Sequence, residues 1–209
     1  MKLFLTSSVH AVAHDIAKKE NLSKDNKLVF ITTPAEAKGQ VDDLEWLRND
    51  RQALVDAGFK VQDYTFTGKT KEQIEKDLES FGYIYMSGGD ASYLLEQSQK
   101  SDFITLIKDL IKIKGKVYIG TSAGSVITGP KLPDFYSPEG YDLKDRNGYE
   151  FVNFTILPHW GREDFKSKYL KKRLEIAYKD DQIPLLLLTD NQYVFVQDEK
   201  IEIIDVNKK

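Results

Sequence analysis

Short apolar runs alternate with longer amphipathic stretches along the first part of the chain. Lys2–Thr6, Lys27–Thr32, Phe59–Phe66, Tyr83–Met86 and Lys116–Gly120 have the length and composition of buried strands. Between Ala37 and Ala57, residues Val41, Leu44, Leu47, Leu54 and Val55 fall near one helical face, and Gly58 supplies a C-terminal stop. Thr70-Lys71-Glu72-Gln73 has the spacing of a capping box and opens a helix that carries Ile74 and Leu78. Strands that cross over through helices build a parallel sheet covered on its faces, so the pattern predicts an α/β fold with a mostly parallel sheet.

The rhythm changes after Ile127. Gly129-Pro130 and the polar stretch from Pro133 to Gly148 carry no helical stripe and predict a long surface loop, a place where function concentrates. Phe151–Leu157 then reads as a strand and Glu163–Lys179 as a helix. Leu185–Thr189 reads as a further strand, followed by a C-terminal hairpin of Tyr193–Gln197 and Ile201–Val206; Asp190-Asn191 and Asp198-Glu199 separate these runs. No repeat or linker interrupts the pattern, and residues 1–209 are expected to form one domain.

Composition narrows the function classes. With 41% apolar and 30% charged residues, 11 Tyr and 11 Phe, the chain has the makings of a packed core. A net charge of -3 gives no reason to expect a nucleic-acid partner. The absence of cysteine removes disulfides, thiolate metal sites and cysteine nucleophiles together, and suits a reducing compartment. His10, His14 and Asp15 break the apolar start, and the run Pro184–Leu188 is far shorter than a membrane span, so a cytoplasmic protein without membrane association is expected.

The candidate chemistry lies where strands end. In Val117-Tyr118-Ile119-Gly120-Thr121-Ser122-Ala123-Gly124-Ser125 an apolar run stops on a G-x-S-x-G pattern. That pattern suits a nucleophile elbow, in which a strand turns sharply into a helix and exposes the serine at the sheet edge. A plain Gly/Ser turn is the alternative. Serine needs a base, and histidine is the usual one. His10 and His14 are four apart without a third ligand and read as a solvated helical face rather than a metal pair. His159 ends the run Phe154–Pro158, so it too lies where a strand empties into a loop; two strand ends of one sheet can bring Ser122 and His159 together. An oxyanion would be met by the amide of Ala123 and by one from Ser87-Gly88-Gly89-Asp90, a turn in which Asp90 also suits a helix N-cap.

Gly88-Gly89-Asp90, the elbow at residues 120–124 and Pro158-His159, in that order, resemble the peptidase E family of serine peptidases, the aspartyl dipeptidases and cyanophycinases. Leu3–Ser8 and Asp145–Tyr149 add to the likeness, which spans most of the chain. The resemblance implies a flavodoxin-like three-layer α/β/α fold similar to the class I glutamine amidotransferases, with serine in place of cysteine at the elbow. It implies Ser122 as nucleophile, His159 as general base, and the amides of Gly88 and Ala123 as the oxyanion hole. It also implies hydrolysis of dipeptides with an N-terminal aspartate, without metal or cofactor.

The acid that orients the histidine is not selected by spacing. Asp134, Glu139, Asp142 and Asp145 precede His159 and Glu163 and Asp164 follow it; Asp142 is preferred. Arg146 and Arg162 are the candidates for holding an acidic substrate side chain. The expected partner is a small peptide, taken by a monomer or a homodimer. An α/β-hydrolase esterase and a non-catalytic binding protein on the same scaffold are the competing readings.

Overall fold

The structure is a computed structural model that describes residues 1–22, 26–179 and 183–208. Five strands, β1 (Lys2–Thr6), β2 (Lys27–Ile31), β3 (Lys60–Tyr64), β4 (Tyr83–Met86) and β5 (Val117–Thr121), lie parallel in the order β3-β2-β4-β5-β1. Alternate residues of these strands point to opposite faces, and both faces are covered. On one face Phe4, Leu28, Phe30, Tyr85 and Ile119 pack against α1 (Val9–Glu20) and, beyond a short helix α2 (Thr33–Glu36), against α3 (Glu45–Asp56). On the other, Leu3, Leu5, Val29, Ile31, Ile84 and Met86 meet α4 (Lys71–Leu78), α5 (Ala91–Lys100), α6 (Phe103–Lys112) and the short α7 (Ala123–Val126). The result is a mostly parallel sheet, as the alternation of runs predicts, within the three-layer α/β/α fold that the resemblance implies.

The expected hairpin, β8 (Gln192–Gln197) and β9 (Lys200–Asp205), extends this sheet, with β8 antiparallel to β1. The segment expected as one helix from Ala37 is a 3-10 turn, Val41–Asp43, followed by α3. The expected strand Phe151–Leu157 shortens to β6 (Thr155–Leu157), and it does not join the main sheet. It pairs instead in parallel with β7 (Leu185–Leu187), forming a separate two-stranded sheet. The expected helix from Glu163 consists of α8 (Glu163–Lys168), a π-helical turn at Tyr169–Arg173, and α9 (Leu174–Lys179).

The loop between α7 and β6 is tied down by Arg146. Its guanidinium donates to the carbonyls of Leu132 and Tyr136 at 3.1 and 3.0 Å and to that of Pro133, and it lies 3.3 Å from Asp134.

Two glycines of the elbow are required by contact. A Cβ on Gly124 would lie 2.3 Å from the Met86 carbonyl oxygen, and one on Gly120 would lie 2.6 Å from that of Gly124. Only hydrogen fits between α7 and strands β4 and β5. Gly124→Ala should therefore destabilise the protein by about 1–3 kcal/mol, the usual cost of overpacking. Gly82→Ala, where the added methyl meets nothing within 4 Å, should stay within about 0.5 kcal/mol. Urea unfolding of the two variants beside wild type reads the difference.

Candidate active site

Ser122 lies between β5 and α7 with φ 49° and ψ -108°, a conformation that L-residues avoid and that costs on the order of 1–3 kcal/mol. Tertiary hydrogen bonds hold it there. The Ser122 amide donates to the Thr6 carbonyl at 3.1 Å, the Ser125 hydroxyl lies 2.8 Å from the carbonyls of both Thr6 and Gly120, and the Tyr118 hydroxyl donates to the Gly124 carbonyl at 2.6 Å. These bonds join the end of β1 to the elbow.

His159 approaches from the second sheet. Its Nε2 is 3.1 Å from Ser122 Oγ. Its backbone is also left-handed, with φ 64°, and the residue is 9% exposed beneath Phe165, whose ring centroid is 4.5 Å away. The other ring nitrogen, Nδ1, lies 2.7 Å from Asp190 Oδ1. The acid beside the histidine is thus Asp190, and the preference for Asp142 is corrected. Asp142 sits in the long loop, where its amide donates to Glu96. Asp134 pairs with Arg146, Asp145 with Gln99 and the amide of Asn147, Glu163 with Lys166 and Asp164 with Arg162, while Glu139 is exposed.

The β6-β7 pair explains the meeting. Leu157 is in register with Leu187, so the residues just beyond, His159 and Asp190, emerge side by side. The bonds Leu188 N–H to Leu157 C=O at 3.0 Å and Trp160 N–H to Leu188 C=O at 2.9 Å carry the pairing up to the site. The expectation that Ser122 and His159 end strands of one sheet is therefore corrected as well: two sheets contribute.

Ser7, at the end of β1, joins them. Its hydroxyl accepts the His159 backbone N–H at 2.7 Å and donates to Asp190 Oδ1 at 2.7 Å. Burial pushes the Asp190 carboxyl up, but hydrogen bonds from His159 and Ser7 and the charges of His159 and Arg162 outweigh it. The net shift is below the ordinary carboxylate value. In the neutral imidazole an ionised acid at Nδ1 holds the ring proton on that nitrogen, so the Nε2 lone pair faces the serine hydroxyl, an arrangement able to take a proton from it.

The cleft over Ser122 has a volume of about 260 Å³. Gly88 flanks the serine, since a Cβ there would lie 3.4 Å from Ser122 Cβ, and Ala123 is the first residue of α7, whose amide has no acceptor within its own helix. Arg162 lines the cleft together with His10, Lys38 and Asp50, whereas Arg146, the other expected binding arginine, is committed to its loop. His10 and His14 are both exposed on α1, as expected of a helical surface, and His10 in addition lines the cleft. Among the described residues no group of three or more His, Asp or Glu side chains could hold a metal ion, and no helix is long and apolar enough to cross a membrane.

Residues 3–204 match the model of peptidase family S51. The chain belongs to that family. It is therefore a peptidase, a hydrolase of peptide bonds, and the esterase alternative falls away. An uncharacterized peptidase of Listeria monocytogenes is 26% identical over 95% of this S51 chain and 96% of its own. A probable alpha-aspartyl dipeptidase of Drosophila melanogaster is 29% identical over 72% of this chain and 62% of its own. The crystal structure of a putative peptidase E protein from Listeria monocytogenes superposes with a TM-score of 0.85 at 23% identity, covering 98% of both chains, and has the same fold.

The depressed Asp190 value has a measurable consequence. A group whose folded value lies below its unfolded one stabilises the fold above the unfolded value, about 4, and loses that contribution as pH falls through the folded value. Asp190→Asn should therefore be less stable than wild type at mildly acidic pH, and the gap should close as pH is lowered further. Urea unfolding as a function of pH follows it.

Proposed function

We propose that this S51 peptidase is a serine exopeptidase in which Ser122 is the nucleophile, His159 the general base and Asp190 the acid that orients it. The observation that carries this reading is the continuous contact from Ser122 Oγ through both ring nitrogens to Asp190, at 3.1 and 2.7 Å. In the first step Ser122 Oγ attacks the scissile carbonyl and its proton passes to His159 Nε2. The amides of Gly88 and Ala123 receive the oxyanion. His159 then protonates the leaving amine, and an acyl-enzyme remains. Water, deprotonated by the same nitrogen, attacks the ester, and release of the acid restores the serine.

For substrate we propose small peptides, dipeptides with an N-terminal aspartate foremost. The cleft of about 260 Å³ has room for a ligand of that size. Its lining carries the basic side chains of His10, Lys38 and Arg162, with Asp50 as the acid among them. Relatives bearing the names peptidase E and probable alpha-aspartyl dipeptidase support the same choice.

Ser122→Ala should abolish both hydrolysis of Asp-X dipeptides and labelling by a fluorophosphonate, with circular dichroism unchanged. Asp190→Asn should lower kcat by a factor of about 10²–10⁴ while Asp142→Asn leaves it near wild type. Hydrolysis by Ser122→Ala at the wild-type rate would overturn the assignment.

A further inference from the structure

One buried carboxylate in the cleft takes no part in this chemistry. Asp50 shares the inner face of α3 with Leu47 and Leu54 and is only 2% exposed, a costly position for a charge without partners. It has two. Tyr85, buried on β4, donates its hydroxyl to Oδ2 at 2.8 Å, and His10 Nδ1 lies 3.0 Å from Oδ1. Burial, and after it the Asp50 charge, pushes the Tyr85 hydroxyl well up, so it stays a donor.

His10 is the variable member. Its side chain is 44% exposed and lines the cleft with Ser122 and Arg162. Standing in the first turn of α1, it occupies a place where the helix dipole opposes a cation, and Asp50 offsets that opposition. The groups that bear on it are Asp50 from α3, Ser8 beside it at 2.9 Å, Asp190 beyond β7 and Arg162 ahead of α8; Lys38 completes the charged lining of the cleft. The hydrogen bond to Asp50 raises its affinity for a proton, outweighing burial, with the charges of Asp50 and Asp190 adding and that of Arg162 opposing. With Nδ1–H committed to Asp50, the second N–H of the imidazolium, on Nε2, is the donor a ligand can take.

We propose that His10, clamped by Asp50, is a specificity-determining residue whose imidazolium receives a substrate carboxylate, so that its protonation switches the cleft between preferring anionic and accepting neutral side chains. This deepens the peptidase reading and rests on the cleft being the peptide site. The preference for an acidic over an isosteric amide side chain is then greatest below the His10 transition and falls as pH rises through it. Asp50 acts through His10 as a positioning residue.

The test reads binding in Ser122→Ala, so that it stands apart from turnover. Calorimetric affinities for Asp-Leu and Asn-Leu are measured at about pH 6 and about pH 8.5, either side of a raised histidine transition. The two dipeptides share both termini, so their affinity ratio isolates the side chain. The expected ratio is about tenfold larger at the lower pH, the worth of a charge-assisted hydrogen bond. Adding His10→Gln should make the ratio independent of pH; adding Asp50→Asn instead should move the transition to lower pH. A ratio that does not change with pH, one that changes equally with His10→Gln, or failure of either dipeptide to bind would overturn the proposal. A wild type that shows the ratio without cleaving either dipeptide would defeat the catalytic reading and leave this one standing.

Discussion

The constraint on which the site depends is the close approach of α7 to the sheet. Backbone atoms of Gly120 and Gly124 come so near to each other and to Met86 that a methyl group on either glycine would overlap a carbonyl. That approach fixes the path of the chain at Ser122 and holds its φ at 49°. A turn of this kind stores strain that the Thr6, Ser125 and Tyr118 hydrogen bonds must offset, and all three lie in the core. Rigidity at the serine is thus a property of the packed layers and not of the turn sequence alone.

The imidazole and its carboxylate are held by a different means. They project from a two-stranded sheet beside the main one, and the parallel register of that pair sets their spacing. Ser7 links the two sheets with one oxygen atom, accepting from the His159 backbone and donating to Asp190. Phe165 packs against the imidazole and itself lines the cleft, leaving His159 9% exposed with Nε2 toward Ser122.

Much of this was legible in the sequence. Short continuous apolar runs and capped amphipathic helices reveal the layers because a strand buried on both faces must be apolar throughout, and the elbow is legible because its glycines answer to a steric requirement. Asp190 was not, although the signal existed: Leu185–Leu188 followed by Thr189-Asp190 repeats the form of Thr155–Leu157 followed by Pro158-His159, an apolar run that empties onto a polar side chain. Reading Asp190-Asn191 as turn residues hid it. The pairing of β6 with β7, 30 residues apart in register, is a tertiary choice that local periodicity does not encode. Asp50 was hidden for a related reason, since a single carboxylate on the apolar stripe of α3 finds its partners only when α1 and β4 are in place.

The hydrogen-bonded chain from Ser122 to Asp190 draws on positions near both ends of the polypeptide, with Ser7 at one extreme and Asp190 just ahead of the strand that zips onto β1. A chain cut short before residue 190 would lose two things at once, the carboxylate beside the His159 imidazole and the strand that pairs with β1, so the order of the imidazole and the closure of that edge of the sheet are tied to one stretch of sequence.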